Sequence, residues 1–226
     1  MYKYETHLHT KPVSACAGVT VCDNLEFYKK KGYDGVFITN HFLDGNIGID
    51  KSLPYETQLD FYFSDYYKAL EIGKKIDIKV FLGLEMSYGG TDFLVYGLEP
   101  QWYYNHPDIM DMKKSEELNY LREHGAFISQ AHPFREAFYI DHIRLFPRCV
   151  DAVETINAGR TEFENKIADM YADMYGLPKT AGTDNHRGND AALLAGMQCS
   201  EPIEDERDFI RKILEGKLSL FCEENG

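Results

Sequence analysis

The chain has 226 residues, of which 44% are apolar and 27% are charged, and its formal net charge is −13. This composition is that of a globular protein with one sizeable core, which excludes a disordered or low-complexity chain. The excess of acidic residues argues against a broad cationic face, so we expect no long nucleic acid as a partner.

The distribution of cysteines and apolar residues favours a cytoplasmic protein. The five cysteines are scattered and form no CxxC pair, which is not the pattern of a disulfide framework. No apolar leader opens the chain, and no segment has the ~20 apolar residues needed to span a bilayer. We therefore expect no membrane partner; the oligomeric state stays open.

Short apolar segments alternate with amphipathic ones, which is typical of βα units. No linker interrupts the alternation, so residues 1–226 are expected to form a single domain. The predicted strands are Tyr2–Leu8, Gly35–Thr39, Lys79–Glu85, Asp92–Tyr96, Ala126–Ala131, Ala152–Ile156 and Lys179–Gly182. This order predicts an α/β fold with a mostly parallel, barrel-like sheet.

Helix ends are marked by capping residues and glycines. Asp23 with Glu26, and Thr161 with Glu164, have the spacing of capping boxes at two helix starts. Gly125 and Gly216 are expected to end two further helices. Apolar stripes on these helices are expected to face the core: Leu118 and Leu121; Phe163, Ile167, Met170, Tyr171 and Met174; Phe209, Ile210, Ile213 and Leu214. The segment Phe42–Thr57 is expected to be a loop over one end of the sheet, where such folds hold their chemistry.

Histidines and acids stand at the ends of the predicted strands. Carboxyl ends of parallel strands share one rim, so five segments are expected to bring seven side chains together: His7, His9, His41, Glu85, His132, Asp184 and His186. One such histidine is usually structural, and Glu85 or Asp184 alone can serve as a cap or turn residue. It is the convergence that predicts a metal centre, and this ligand set suits Zn²⁺, Mn²⁺ or Fe²⁺, with more than one ion.

These residues resemble the motifs of the PHP (polymerase and histidinol phosphatase) family. The motifs, in order, are His7-Leu8-His9-Thr10, Thr39-Asn40-His41, Gly83-Leu84-Glu85, His132-Pro133 and Asp184-Asn185-His186. The resemblance implies a distorted (β/α)₇ barrel with two or three divalent ions (Mn, Fe or Zn) and hydrolysis of phosphate esters. It further implies that one ion is held by His7, His9, Glu85 and Asp184, a second by His132, and a third by His41 and His186.

Three positions depart from the family pattern. Asn40 stands where members have Asp. Cys16 lies where many members carry His or Asp, and it is either a thiolate ligand or a buried inert cysteine. Where many members have a histidine after the fourth strand, this chain has Val95-Tyr96-Gly97-Leu98. A centre of two ions is therefore as compatible with the sequence as one of three.

Phosphate chemistry assigns further roles. Divalent ions would supply a bridging hydroxide as nucleophile near neutral pH. Asp184 is expected to act as a catalytic residue as well as a metal ligand. Arg135 and Arg160, with Arg187 as a third candidate, are expected to grip the phosphate. Glu154 is expected to support a metal ligand from behind. The leaving oxygen would be protonated by His41 or His186.

The leading hypothesis is a phosphatase of a small phosphorylated metabolite, such as histidinol phosphate or a nucleotide. A metal-binding module without activity is the alternative. A metal-dependent amidohydrolase is a third class, but Glu85 occupies the place of the modified lysine that many such enzymes use. Aromatic residues between Tyr55 and Tyr67 and at Trp102-Tyr103-Tyr104 either stack on a substrate ring or pack in the core. The other histidines, His106, His124 and His142, are expected to lie outside the site.

Overall fold

The computed structural model describes all 226 residues. Its strands are β1 (Tyr2–Leu8), β2 (Gly35–Ile38), β3 (Lys79–Tyr88), β4 (Thr91–Tyr96), β5 (Phe127–Ala131), β6 (Ala152–Asn157), β7 (Lys179–Gly182), β8 (Leu193–Cys199) and β9 (Ser219–Glu224). They form one nine-stranded sheet in the order β7-β6-β5-β4-β3-β2-β1-β8-β9. The seven predicted strands are therefore present, and β8 and β9 were not predicted.

The sheet is mixed, which corrects the expectation of a mostly parallel (β/α)₇ barrel. β1, β2 and β3 pair in parallel, as do β5, β6 and β7. β4 is antiparallel to both of its neighbours, and β8 is antiparallel to β1 and β9. The physical reason for the reversal at β4 is the two-residue turn Gly89-Gly90, in which both residues have positive φ; a turn this short joins only antiparallel strands.

The sheet nearly closes on itself at the rim. The His9 backbone N–H donates to the Asn185 carbonyl at 3.2 Å, and the Asn185 N–H approaches the His7 carbonyl at 3.4 Å. These contacts join the end of β1 to the segment after β7, and β7 is the edge strand farther from β1 in the sheet order. The result is a barrel-shaped sheet whose rim brings the first and last motifs together.

The helices are α1 (Val21–Lys30), α2 (Tyr55–Ile76), α3 (Pro100–Asn105), α4 (Lys114–Glu123), α5 (Glu162–Tyr175) and α6 (Glu206–Leu214). The capping box of Thr161 and Glu164 is confirmed at the start of α5. The predicted cap of α1 was wrong: Thr20 is the N-cap, and its hydroxyl accepts from the Asp23 N–H. None of the helices combines the length and the apolar character needed to cross a membrane.

Helix α2 corrects the interpretation of the aromatic segment. The loop expected over Phe42–Thr57 ends at Pro54, and the 22 residues Tyr55–Ile76 are helical. Tyr62 and Phe63 are buried there, and the Tyr62 hydroxyl donates to the Asn40 carbonyl at 2.8 Å. Tyr103, on α3, is also buried. These aromatic residues therefore pack in the core.

The apolar stripe of α5 is only partly buried. Tyr171 lies in the core with Ala168 and Ala172, whereas Phe163, Met170 and Met174 are exposed, as is Leu214 on α6. The expectation that all of these residues face the core was wrong. The buried face of α5 is set by the small alanines, which let the helix pack closely against β6, and the larger side chains lie on the neighbouring, outer face.

Candidate metal centre

All seven predicted rim side chains converge in the structure. Their ligand atoms form three overlapping groups in which every atom lies within 4.8 Å of the others in its group. The groups are His7, His9 and Asp184; His7, Glu85 and His132; and His9, His41 and His186. His41 and His186 thus stand together and His132 stands with Glu85, while His7 and His9 are each shared between groups.

The first pair of histidines is oriented by hydrogen bonds from outside the cluster. His7 Nδ1 lies 2.8 Å from the Glu154 carboxylate, which can only accept, so this nitrogen carries the proton. His9 Nδ1 lies 3.0 Å from the Ser14 hydroxyl, which itself donates to Asn40 Oδ1 at 2.8 Å. In the neutral rings both Nε2 atoms therefore present lone pairs, and they face each other at 3.2 Å.

Two carboxylates share this space. Glu85 Oε1 lies 3.1 Å from His7 Nε2, and Asp184 Oδ1 lies 3.4 Å from His9 Nε2. Burial alone would raise the pKa of both acids, but the neighbouring histidines hold each pKa well below its usual range. Both groups are therefore ionised at neutral pH.

The donor set fits divalent cations. Facing nitrogen lone pairs and two buried carboxylates repel one another unless positive charge lies between them. Burial alone would lower the pKa of His7, yet the surrounding carboxylates, led by Glu154, raise it well above its ordinary value. A site that draws a proton onto a buried imidazole favours cations, and its nitrogen and oxygen donors suit Zn²⁺, Mn²⁺ or Fe²⁺.

Two of these residues have unusual backbone conformations. His132 has φ of 27° and Asp184 has φ of 55°, in the region that favours glycine. Side chains of β6 hold both: the His132 N–H donates to Glu154 Oε2 at 3.0 Å, and Asn157 Nδ2 approaches Asp184 Oδ2 at 3.3 Å. Glu154 therefore contacts one histidine through its ring and another through its backbone, in line with its expected supporting position.

The structure gives local reasons for the departures from the family pattern. Asn40 Oδ1 accepts from the Thr10 N–H at 2.7 Å, and Asn40 Nδ2 donates to the Thr10 hydroxyl at 2.8 Å. The Asn40 amide therefore braces the chain after β1 by donating and accepting at once. The interpretation of Cys16 as a buried cysteine was wrong, because Cys16 is exposed and lines the cleft.

The cluster opens into a polar cleft of about 1090 Å³. Arg135, Arg160 and Arg187 line it, and the buried Nε atoms of Arg135 and Arg160 have no hydrogen-bond partner. Among the Phe, Tyr and Trp residues, only Tyr139 lines the cleft. The expected phosphate-binding arginines therefore face the cleft, and the aromatic segments do not.

One cleft residue, Asp92, was not predicted from the sequence to lie at the rim. It is buried, its Oδ2 lies 3.9 Å from His132 Nε2, and the same oxygen pairs with Arg135 at 2.7 Å. In a parallel strand the rim would receive the other end of β4, near Tyr96. The Gly89-Gly90 pair is the signal that identifies the hairpin and places Asp92 at the rim.

The three remaining histidines lie outside the metal-binding groups, as expected. His106 stacks on Trp102 with ring centroids 4.1 Å apart. His124 and His142 are exposed.

No protein-family model and no curated protein matches this sequence. Solved structures do match. A two-domain protein from Bacteroides vulgatus, said to contain a PHP-like metal-dependent phosphoesterase, is 12% identical with a TM-score of 0.73; the match covers 97% of this chain and 64% of that one. This chain thus spans less than two thirds of that protein.

Two further structures match over nearly their whole lengths. A protein from Bifidobacterium adolescentis described as a metal-dependent phosphoesterase is 13% identical with a TM-score of 0.61, and the match covers 94% of this chain and 96% of that one. An amidohydrolase from Chromobacterium violaceum, with bound sulfate and no metal, is 12% identical with a TM-score of 0.54, covering 99% and 98%. At these identities the likeness concerns the fold: the chain has the fold of proteins described as PHP-like metal-dependent phosphoesterases.

Proposed function

We propose that this protein is a metal-dependent phosphatase that hydrolyses phosphate monoesters of a small metabolite. The observation that carries the proposal is the convergence of five histidines and two ionised carboxylates at one rim, beside a cleft lined by three arginines. Anion-binding arginines next to cation-binding donors suit a substrate with a phosphoryl group. The fold likeness to phosphoesterases supports the same class of reaction.

The rim residues would hold two or three divalent ions. Such ions, when bound, supply a hydroxide at neutral pH and neutralise charge on the phosphoryl oxygens. His7, His9, Glu85, Asp184 and His132 provide the deepest donors, and all of them are buried. Their positions are fixed by hydrogen bonds from β6 and from the segment after β1, so the donors are preorganised.

Two outer residues differ in how easily they reach a substrate. His41 is nearly buried and lies 2.7 Å from Glu85, whereas the His186 side chain is 26% exposed. His186 Nδ1 faces the Asp184 carbonyl at 3.0 Å, which leaves Nε2 for another partner. His186 is therefore the better placed of the two to protonate the leaving oxygen.

The cleft favours a small polar substrate. Arg160 and Arg187 line it without forming a salt bridge, so their charges are available to an anion. The single aromatic residue at the wall, Tyr139, is half exposed and offers little surface for stacking. Sugar phosphates and other non-aromatic phosphomonoesters therefore fit better than substrates recognised through stacked rings.

The test combines metal content with phosphate release. Metal per chain is measured for the protein as purified and for Asp184→Asn, with Asp141→Asn as a matched control because Asp141 is exposed on a loop. Asparagine tolerates positive φ, so the Asp184 variant is expected to fold. Phosphate release is then screened on monoesters, including sugar phosphates, p-nitrophenyl phosphate, histidinol phosphate and nucleoside monophosphates, and on bis-p-nitrophenyl phosphate as a diester.

We expect two or three equivalents of metal in the parent and control, less metal in Asp184→Asn, and monoester turnover that Asp184→Asn abolishes. Metal-loaded protein that releases no phosphate from any substrate would support the inactive metal-binding module instead. Turnover that is unchanged in Asp184→Asn would contradict the proposed centre.

A further inference from the structure

The Asp92–Arg135 pair is an ion pair with an unusual position. Asp92 is the second residue of β4, at the rim, and Arg135 follows the His132-Pro133 segment. The two side chains are only 4% and 13% exposed. Arg135 Nη2 lies 2.7 Å from Asp92 Oδ2 and donates to the Gly90 carbonyl at 3.1 Å. Both residues line the cleft beside the candidate metal ligands.

The pair uses one corner of the guanidinium and leaves the rest unengaged. Arg135 Nη2 makes both of the contacts just described, whereas the buried Nε has no partner. The guanidinium lies 5.8 Å from the centre of the Tyr139 ring, which restricts its motion on one face. A planar cation with an anchored corner and free N–H groups in a cleft is prepared to bind a phosphoryl oxygen.

The contact with Asp92 also keeps Arg135 Nη2 at the start of β4. Glu85 and Asp184 both act on the Arg135 charge, so an unanchored guanidinium would be drawn to the carboxylates that the metal ions need. Asp92 has the right location to be a metal ligand itself, since its Oδ2 is 3.9 Å from His132 Nε2. The same oxygen, however, is the one that Arg135 occupies.

We propose that Asp92 is a positioning residue, which fixes Arg135 for phosphate binding and is not itself a metal ligand. The proposal rests on the proposed function. In this arrangement the antiparallel start of β4 contributes to substrate affinity. The contact with Asp92 makes Arg135 a fixed anion-binding group next to the metal-binding donors.

The test uses inorganic phosphate as the probe, with metal content measured on every variant. The variants are Asp92→Asn, Arg135→Ala and the double variant, and Asp44→Asn is the matched control because Asp44 also lines the cleft and pairs with Lys114 at 2.8 Å. Binding of phosphate to the metal-loaded proteins is measured by calorimetry and as inhibition of p-nitrophenyl phosphate hydrolysis.

We expect Asp92→Asn to keep its metal and to bind phosphate about tenfold more weakly, the effect of losing one charge-assisted contact. Asp44→Asn should bind as the parent does. In the Arg135→Ala background, Asp92→Asn should cause no further loss of phosphate affinity. A general loss of structure would instead weaken phosphate binding in that background too.

Loss of metal in Asp92→Asn would overturn the proposal and make Asp92 a ligand. Full metal with parental phosphate affinity would overturn it as well, without touching the proposed function. A parent protein that holds metal but neither binds phosphate nor hydrolyses monoesters would overturn the proposed function and this inference together.

Discussion

Glu154→Gln is predicted to weaken metal binding although Glu154 belongs to none of the three metal-binding groups. Its carboxylate is fully buried and accepts three hydrogen bonds, from His7 Nδ1 at 2.8 Å, the His132 N–H at 3.0 Å and Asn157 Nδ2 at 2.9 Å. Glutamine has the same shape but only one acceptor oxygen. Whichever way its amide turns, the NH₂ group meets a donor.

The conflict is relieved most simply at His7. With the amide NH₂ toward its ring, His7 has to move its proton from Nδ1 to Nε2, and the lone pair that faces the site is lost. One charge-assisted hydrogen bond contributes about 1.5–3 kcal/mol. We therefore expect metal affinity to fall by about ten- to hundredfold, the usual size of effects from residues that orient a ligand.

The assay is competition for Mn²⁺ or Zn²⁺ against a chelator of known affinity, on metal-stripped protein whose folding is checked by circular dichroism. Glu162→Gln is the control, since Glu162 is exposed in the first turn of α5. An affinity of Glu154→Gln within about twofold of the parent would refute the argument, because it would mean that the tautomer of His7 does not govern ligation.

Two other predictions concern titrating groups. Burial alone would raise the pKa of Cys16, but His186 and His41 lower it to about 6, whereas burial raises the pKa of Cys222, which is also exposed. In chelator-treated protein at about pH 7, iodoacetamide should thus modify Cys16 well before Cys222, as read by peptide mass spectrometry; equal rates would contradict this. Burial raises the pKa of Glu5 from 4.5 to about 7, so the unfolded chain ionises first as pH rises through this range and the folded state loses stability. Glu5→Gln should therefore melt several degrees above the parent at about pH 8 and show no such advantage at about pH 5. An equal rise in melting temperature at both pH values would mean that the ionisation of Glu5 is not its cause.

The sequence was most informative where polar residues interrupt apolar strands. His9, Asn40 and His132 each stand just beyond a strand end, and Glu85 stands at the end of the predicted third strand. Several buried strands that lead to ligand-type residues indicate a shared site at the rim. The seven metal-binding candidates could be identified in this way because the strands that lead to them, β1, β2, β3, β5 and β7, all run in the same direction. Even the supporting position of Glu154 could be predicted, because it lies on a strand next to the rim.

Direction and helix content were harder to predict. The reversal at β4 depends on Gly89-Gly90, and overlooking that turn concealed Asp92. Helix α2 begins with a segment rich in aromatic residues, which have weak helix propensity and form a helix only because Tyr62 and Phe63 are buried against the sheet. Such tertiary effects have no local sign in the sequence.

The positive φ angles of His132 and Asp184 have a consequence for the stability of the fold. Residues with a Cβ in such conformations cost of order 1–3 kcal/mol each, so a chain that no longer used this rim would become more stable by accepting glycine at either position. Glycine at either position should therefore raise the free energy of unfolding while it removes a candidate metal ligand, so at His132 and Asp184 the stability of the fold and the binding of metal oppose each other.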